Sequence, residues 1–225
     1  MERSEWEANE DGVMEKKKQK QPTDFPMLKE QERENRRNLI IDAAERVFSA
    51  KPFEQVTMRN IAMEVGITPT AIYRYFADKQ ALYAESYVRS NNRLLEKLVK
   101  VFEHSSDLNL EKIATITVDH FLGEEQNLKM RAHFMIDDML NDNLLGKLSE
   151  NTKYFVDTIE QHFRKFSSDP EVRILALTFF AALNGVLLTY RKSPGKSRAE
   201  IVKNIRKEAQ IVSEIFTKRL MSGGS

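Results

Sequence analysis

Hydrophobic residues recur every three or four positions along most of this chain, the spacing that places side chains on one face of an α-helix. The first such segment covers residues 31–50 and ends before Pro52, because a residue that precedes proline avoids helical dihedrals. Periodic segments and their start and stop signals predict further helices over residues 58–65, 69–75, 79–103, 109–122, 125–140, 143–167, 171–191 and 197–220. The pattern therefore predicts an all-α protein of about nine helices.

Residues 1–30 show no hydrophobic period. They mix acidic residues, glutamine and lysine, and four lysines stand together at positions 16, 17, 18 and 20. This composition predicts a flexible N-terminal arm. A basic arm could lie along DNA phosphates, but acidic residues outnumber basic ones over this range, which favours a solvated tail.

Two very short helices are predicted between the first and the second long helix. Thr57 is suited to cap the first of them, although Asn60 replaces the Glu or Gln of a full capping box. Gly66 can take the left-handed conformation that ends a helix, and Thr68 followed by Pro69 begins the next one. Two short helices joined at a steep angle fit the major groove of DNA, so this stretch predicts a helix-turn-helix module.

Composition narrows the function classes. There is no cysteine, which excludes disulfides and thiolate metal sites and fits a reducing cytoplasm. No apolar run approaches the roughly 20 residues of a membrane span, and the polar N-terminus is unlike a secretory signal. We therefore expect a cytoplasmic protein with no membrane partner. The net charge of +1 gives DNA binding no support, so that hypothesis depends on motif geometry.

Residues 38–87 resemble the DNA-binding domain of the tetracycline-repressor (TetR) family. The matching motifs are Ile41-Asp42-Ala43-Ala44 leading to Phe48, Thr57-x-Arg59-x-Ile61-Ala62, Val65-Gly66-Ile67, Ile72-Tyr73-x-Tyr75-Phe76 and Asp78-Lys79-x-x-Leu82. Pro52 departs from the family, which often has a glycine before the aromatic residue. The resemblance implies a helix-turn-helix domain over residues 31–80, and an effector-binding and dimerisation domain over residues 81–222 of a homodimer.

The DNA-contacting residues are expected on the second short helix and at helix N-termini. Small hydroxyls and a methyl group at the front of that helix suit base edges, an arginine suits a guanine or a phosphate, and the tyrosines resemble the family's phosphate-binding pair. One of these tyrosines could instead pack internally. The predicted set is Thr57, Arg59, Thr68, Thr70, Ala71, Tyr73, Arg74, Tyr75 and Lys79.

The last two helices are the predicted dimer interface. Residues 171–191 are apolar nearly all round, which requires burial on several sides, and residues 179–190 resemble the family's penultimate helix that pairs with its symmetry mate. The alternative is an ordinary intrachain core. The predicted interface residues are Leu175, Phe179, Ala182, Val186, Ile205, Val212 and Phe216.

A hydrophobic effector pocket is predicted in the C-terminal domain, although an aromatic stripe is more often ordinary core. The candidate lining residues are Phe102, Phe121, His133, Phe134, Asp137, Phe155, Asn184 and Tyr190. His133 and Asp137 stand four apart on one helical face, where a structural hydrogen bond is favoured over a metal site because no third ligand is evident. No metal and no cofactor are predicted.

The favoured function is a homodimeric repressor, released from a pseudo-palindromic DNA operator by a small hydrophobic, lipid-like or aromatic effector. The alternative is an effectorless or protein-controlled DNA-binding regulator with a solid C-terminal core. An enzyme is not expected, because the chain contains no G-x-S-x-G, Walker, dinucleotide-binding or HExxH motif.

Overall fold

The computed structural model describes residues 25–123, 142–189 and 195–222, together with two short strands nearer the N-terminus. The chain divides into two compact units, residues 1–39 and 40–225. In the first unit, strands β1 (Trp6–Ala8) and β2 (Met14–Lys16) pair antiparallel with Glu7 opposite Glu15. The sequence pattern did not predict this pair.

Eight α-helices lie in the described ranges and confirm the all-α prediction. They are α1 (Phe25–Ala50), α2 (Met58–Val65), α3 (Pro69–Ile72), α4 (Lys79–His104), α5 (Leu110–Gly123), α6 (Asp142–Arg164), α7 (Val172–Thr189) and α8 (Arg198–Ser222), with a 3₁₀ turn at Phe53–Gln55. The helix predicted over 125–140 lies outside the described residues.

Helix α1 begins at Phe25, six residues before the start that hydrophobic spacing predicts. The added residues 25–30 include Phe25, Met27 and Leu28, but all six are exposed and none joins a core. The charges that follow pair along the helix: Arg33 with Glu30 three residues earlier, and Arg36 with Glu32 four residues earlier. Such pairs stabilise an exposed helix by about 0.2–0.5 kcal/mol each.

The described residues of the second unit contain two large hydrophobic cores and a small cluster in which Ala84 of α4 packs with Leu144 of α6. The head core joins α1, α2, α3 and the first turns of α4, and includes Ile40, Ile41, Phe48, Ile61, Ala62, Ile72, Phe76, Leu82, Tyr83 and Tyr87. This confirms the predicted burial of Ile61, Ala62, Ile72 and Phe76. The body core joins the upper part of α4 with α5, α6, α7 and α8, and includes Leu94, Leu98, Phe121, Phe163, Phe179 and Ile205. Helix α4 is thus shared by both cores.

Within the described residues, α7 is long and apolar enough, by length and composition, to cross a membrane, with a mean hydropathy of 1.8. One face of α7 is buried in the body core through Ala176, Phe179 and Leu183. Core helices have the same composition, so this feature does not indicate a membrane. The opposite face leaves Ile174 and Leu177 exposed.

A buried histidine lies between α6 and the α4–α5 turn. The ring of His162 stacks on Phe102 at a centroid distance of 4.1 Å, and its Nε2 atom lies 3.2 Å from the carbonyl oxygen of Leu108. The Nδ1 atom is buried, and no hydrogen-bond partner for it occurs in the described part of the chain. Burial lowers the pKa of His162 below its ordinary value, and nearby Lys165 acts in the same direction.

We expect His162 to make the protein less stable at acidic pH. Above pH about 6.5 the ring is neutral in both the folded and the unfolded chain. As the pH falls below that value, the unfolded chain gains a proton that the folded chain resists, so the free energy of unfolding decreases. In His162→Phe this component is absent.

Thermal unfolding from pH 7.5 to pH 5 measures the effect. As the pH falls from 7.5 to 5, the free energy of unfolding of the wild type should decrease more than that of His162→Phe. His104→Gln is the control, because His104 is exposed. Parallel pH curves for wild type and His162→Phe would contradict the assignment.

Candidate nucleic-acid interface

Helix α2 begins at a capping box that the sequence pattern did not predict. The Thr57 hydroxyl accepts a hydrogen bond from the Asn60 backbone N–H at 3.2 Å, and the Asn60 side-chain oxygen accepts one from the Thr57 N–H at 3.0 Å. The expectation of an incomplete box was therefore wrong. An asparagine carbonyl can accept the same bond as Glu or Gln, because the geometry needs only an acceptor oxygen at this position.

The turn between α2 and α3 depends on Gly66. Its φ of +80° lies in the left-handed region, where a residue with a side chain is strained. The N–H groups of Gly66 and Ile67 both donate to the carbonyl of Ala62 at 3.0 Å, which closes the end of α2. This turn lets α3 begin within a few residues of the end of α2.

Helix α3 is shorter than predicted. Thr68 caps it by accepting from the Ala71 N–H at 3.3 Å, and regular helix ends at Ile72. The chain then continues in tight turns, in which the Tyr75 N–H donates to the Ile72 carbonyl at 2.8 Å. Ile72 and Phe76 are buried in the head core and anchor the segment at both ends. This anchoring holds the intervening side chains on the surface.

Most of the predicted DNA-contacting residues are exposed. Those with exposed side chains are Thr57, Arg59, Thr68, Thr70, Tyr73 and Arg74, and Ala71 is half-buried. The two tyrosines differ: Tyr73 is 54% exposed, whereas Tyr75 is half-buried against the head core. Tyr73 is therefore the better candidate for a phosphate contact, and Tyr75 has the internal packing role that the sequence left open.

Lys79 has an internal partner that the sequence did not reveal. Its Nζ atom donates to the carbonyl oxygen of Phe53 at 2.8 Å and lies 4.1 Å from the centre of the Phe53 ring. Burial lowers the pKa of Lys79, while nearby Glu54 opposes that shift. The half-buried ammonium thus secures the 3₁₀ turn against α4, a structural role that the sequence did not predict.

The predicted dimer interface needs correction. Phe179 is 0% exposed and Ile205 2% exposed within one protomer, so both belong to the body core and neither can contact a partner. The other predicted residues are half-buried: Leu175, Val186, Val212 and Phe216, which pack against that core, and Ala182. The exposed apolar positions lie elsewhere on the same helices: Ile174, Leu177, Ala181 and Gly185 on α7, and Ile211 and Ile215 on α8.

The predicted pocket also needs correction. Phe102, Phe121 and Phe155 are packed in the body core, because aromatic side chains at helical spacing fill the space between neighbouring helices. Asn184 does line a groove. The remaining candidates, His133, Phe134, Asp137 and Tyr190, lie outside the described residues. Within the described ranges, no group of three or more metal-ligating side chains occurs.

The grooves formed by the described residues include two that flank α6. The apolar groove, of about 810 Å³, runs between α6 and α7 next to the first turns of α4. Its lining is Tyr87, Leu145, Leu148, Ser149, Thr152, Lys153, Val156, Arg173, Ile174, Leu177, Phe180, Ala181, Asn184, Gly185 and Leu188. The polar groove, of about 720 Å³, runs between α4 and α6 and includes Asn92, Glu96, Lys100, Lys147 and Asn151.

The comparisons with known proteins agree with this architecture. Residues 40–85 match the family model described as bacterial regulatory proteins, tetR family. The chain is 27% identical over 178 residues to the HTH-type transcriptional regulator YdgC of Bacillus subtilis (strain 168), covering 74% of this chain and 88% of YdgC. It is 24% identical over 138 residues to the HTH-type transcriptional regulator UidR of Escherichia coli (strain K12), covering 60% of this chain and 68% of UidR.

A similar fold occurs in the transcriptional regulator FadR from Bacillus subtilis, which was solved in complex with stearoyl-CoA. The match has a TM-score of 0.66 at 16% identity and covers 79% of this chain and 96% of FadR. The family-model match lies on the helix-turn-helix, whereas the YdgC match and the FadR structural match each cover about three quarters or more of the chain. This chain belongs to the TetR family of DNA-binding bacterial transcriptional regulators.

Proposed function

We propose that the protein is a homodimeric repressor that binds a pseudo-palindromic operator through α3 and is released from it by a small apolar effector. The observation that carries the DNA-binding part is the exposed row Thr70, Tyr73 and Arg74, on a segment that Ile72 and Phe76 anchor in the head core. A regulator of this kind acts in the bacterial cytoplasm, where its operator lies.

Each exposed residue of the head has a distinct role in this proposal. Thr70 and Arg74 read base edges in the major groove, where hydroxyl and guanidinium groups distinguish bases. Tyr73 donates to a phosphate oxygen and positions the head without reading sequence. Arg59 reaches the backbone at the edge of the site. Thr57 holds the start of α2, whose free N–H groups favour a phosphate.

A homodimer follows from the small size of one head. A single module buries only about 600–1,000 Å² on DNA, which is too little for selective binding. The exposed apolar residues of α7 (Ile174, Leu177, Ala181 and Gly185), which also form one wall of the apolar groove, and Ile211 and Ile215 of α8 provide the surface that a second copy would cover, so the groove would lie at the dimer interface. Two heads related by a two-fold axis then read half-sites about 34 Å apart or somewhat more.

The apolar groove is the proposed effector site. Its buried floor is formed by Val156, Phe180 and Asn184, and its volume of about 810 Å³ is in the range of small-molecule sites. Lys153 borders it and is the group that would hold an anionic head group, whereas Arg173, also on the border, is paired with Asp157 and Glu160. Stearoyl-CoA in the Bacillus subtilis FadR complex supports an acyl ligand as the first class to test.

The groove is well placed for control of DNA binding. Tyr87 belongs to the head core and also lines the groove, so a ligand there contacts the helix that joins head and body. An effector shifts the equilibrium only if it binds the released form more tightly than the operator-bound form. We propose that it does so by moving α4 relative to α6 and α7.

The close packing of the body core favours the effectorless alternative. The aromatic residues Phe102, Phe121 and Phe155 occupy the interior where an enclosed cavity was expected. One observation distinguishes the two functions: a small molecule must weaken operator binding by an effector-released repressor, but not by an effectorless regulator.

Gel-shift titration with stearate and stearoyl-CoA distinguishes the two functions. The operator is first selected from a random DNA pool with the wild-type chain, and the acyl ligand should then release it. Ser149 is exposed and lines the apolar groove, so Ser149→Trp should fill the groove and raise the ligand concentration needed by about tenfold or more.

Gln161→Trp provides the matched control. Gln161 is also exposed on α6, but it does not line either groove. It should respond to ligand like the wild type. Operator binding that no acyl ligand weakens would support the effectorless regulator.

A further inference from the structure

The two hydrophobic cores are separated by one polar turn of α4. The head core includes α4 residues up to Tyr87, and the body core includes α4 residues from Leu94 onwards. Between them lie Val88 and then five polar residues, called here the polar turn: Arg89, Ser90, Asn91, Asn92 and Arg93. A run of five polar residues in the middle of a helix shared by two cores is not explained by packing.

Two residues of the polar turn bind helix α1 of the head. The Arg89 Nε atom donates to Glu45 at 3.1 Å, and its guanidinium also pairs with Asp42. Arg93 donates to the same Glu45 carboxylate at 3.2 Å. The Glu45 side chain is only 18% exposed, so solvent screens these pairs less than it screens surface pairs. These contacts connect α1 and α4 through residues that lie 44 and 48 positions apart in sequence.

The other residues of the polar turn bind the body. Ser90 Oγ lies 3.0 Å from His120 Nε2 of α5, and both side chains are buried. Asn91 donates to the Asn151 side-chain oxygen of α6 at 2.8 Å, and Asn151 donates to Asn92 at 3.0 Å. One turn of α4 therefore contacts the head on one side and two body helices on the others.

Polar contacts of this kind specify geometry more than they add stability. Apolar contacts are non-directional, so two cores joined by apolar packing could rotate slightly at little cost. Hydrogen bonds require alignment, and partly buried ion pairs contribute little net stability but leave an uncompensated charge when their geometry is lost. The polar turn thus favours one orientation of the head relative to the body.

We propose that the polar turn sets the half-site spacing that the dimer accepts, so that Arg89, Arg93 and Glu45 are specificity-determining residues without touching DNA. This inference rests on the proposed homodimer. From the polar turn to the start of α4 is about 12 residues, or ~18 Å of helix. Rotation of the head by ~10° over that length moves it by ~3 Å, close to the ~3.4 Å of one base step.

The test measures operator affinity as a function of spacing. The operator selected with wild-type protein is synthesised with one or two base pairs added to or removed from its centre, and affinities are measured by fluorescence anisotropy. Wild type should prefer the selected spacing strongly. The quantity compared is the spacing ratio, the affinity for the operator of the best spacing divided by the affinity for operators one or two base pairs longer or shorter. Arg89→Met should lower this ratio by about tenfold, the size of a typical coupling between sites.

Two further variants separate geometry from folding. Glu45→Gln keeps the shape of the side chain and removes the charge that Arg89 and Arg93 share, so it should narrow the ratio less than Arg89→Met does. If Arg89→Met does not fold, Glu45→Gln takes its place in the test. Arg206→Met is the control, because Arg206 pairs with Asp119 of α5 at 2.8 Å, within the body and away from the polar turn.

The outcomes are distinct. Narrowed spacing ratios in Arg89→Met and Glu45→Gln, with an unchanged ratio in Arg206→Met, support the inference. An equal loss of affinity at every spacing would overturn it, because Arg89 would then contribute only stability. An equal narrowing in the control would also overturn it. A wild type that binds DNA as a monomer, with no spacing preference, would instead refute the proposed homodimer.

Discussion

Replacing Tyr73 and Arg74 together with alanine should lower operator affinity by about 100-fold or more. A good base contact contributes about 1–3 kcal/mol, and in a dimer each lost contact is lost twice. Both side chains are exposed, whereas the anchors Ile72 and Phe76 stay in place, so the head should remain folded. Gel-shift titration and thermal unfolding of the same preparation measure the two effects.

The single variants should affect DNA binding in different ways. Tyr73→Ala should weaken binding to all DNA sequences, because a phosphate contact carries no sequence information. Arg74→Ala should change base preference if the guanidinium reads guanine, and should instead reduce the salt dependence if it pairs with a phosphate. Thr70→Val tests base reading with a nearly unchanged shape.

Controls come from the body of the same chain. Tyr154 and Arg164 are exposed on α6, and their alanine variants should bind the operator like wild type. Wild-type affinity in the Tyr73 and Arg74 double variant would remove α3 as the recognition element. The helix-turn-helix domain would then have to bind DNA through another surface.

The second large effect is expected at the α7 face. Leu177→Arg should convert the dimer into monomers and lower operator affinity by about 1,000-fold or more. A specific association buries about 1,600 Å², and a cation in the apolar centre of such an interface loses its hydration without a partner. Leu177 is 51% exposed in the protomer, so the substitution adds no strain to the body core.

Sedimentation velocity and gel shift on the same samples measure both consequences. Tyr154→Arg is the matched control, since Tyr154 is equally an exposed large side chain but lies on α6 facing the polar groove. It should remain dimeric. A Leu177→Arg protein that still sediments as a dimer would place the interface elsewhere, and Ile211→Arg and Ile215→Arg on α8 would be tested next.

Local signals in the sequence were sufficient to predict the helices of the head. Thr57, Gly66, Thr68 and Pro69 each act through backbone geometry within a few residues, so their effect can be deduced without knowing the rest of the fold. The buried anchors followed from spacing alone. The capping role of Asn60 was missed because it depends on a side-chain oxygen that statistics assign to Glu or Gln.

The body was harder to predict because its helices are apolar on more than one face. In α7 the hydrophobic spacing fits two different stripes equally well, and only the positions of α6 and α8 decide that Phe179 lies inside and Leu177 outside. The same limit applies to the aromatic residues. Periodicity shows that Phe102, Phe121 and Phe155 face a neighbouring helix, but not whether that neighbour leaves a cavity.

The order of elements, the all-helical class and the DNA-binding head were determined by the sequence itself, because capping residues, turn glycines and short-range spacing act between near neighbours in the chain. Only the tertiary structure decided which face of α7 is exposed, that Lys79 bonds to Phe53, and that Arg89 and Arg93 meet Glu45. These contacts join residues 26 to 48 positions apart, and their partners are set by how the helices pack rather than by any local pattern.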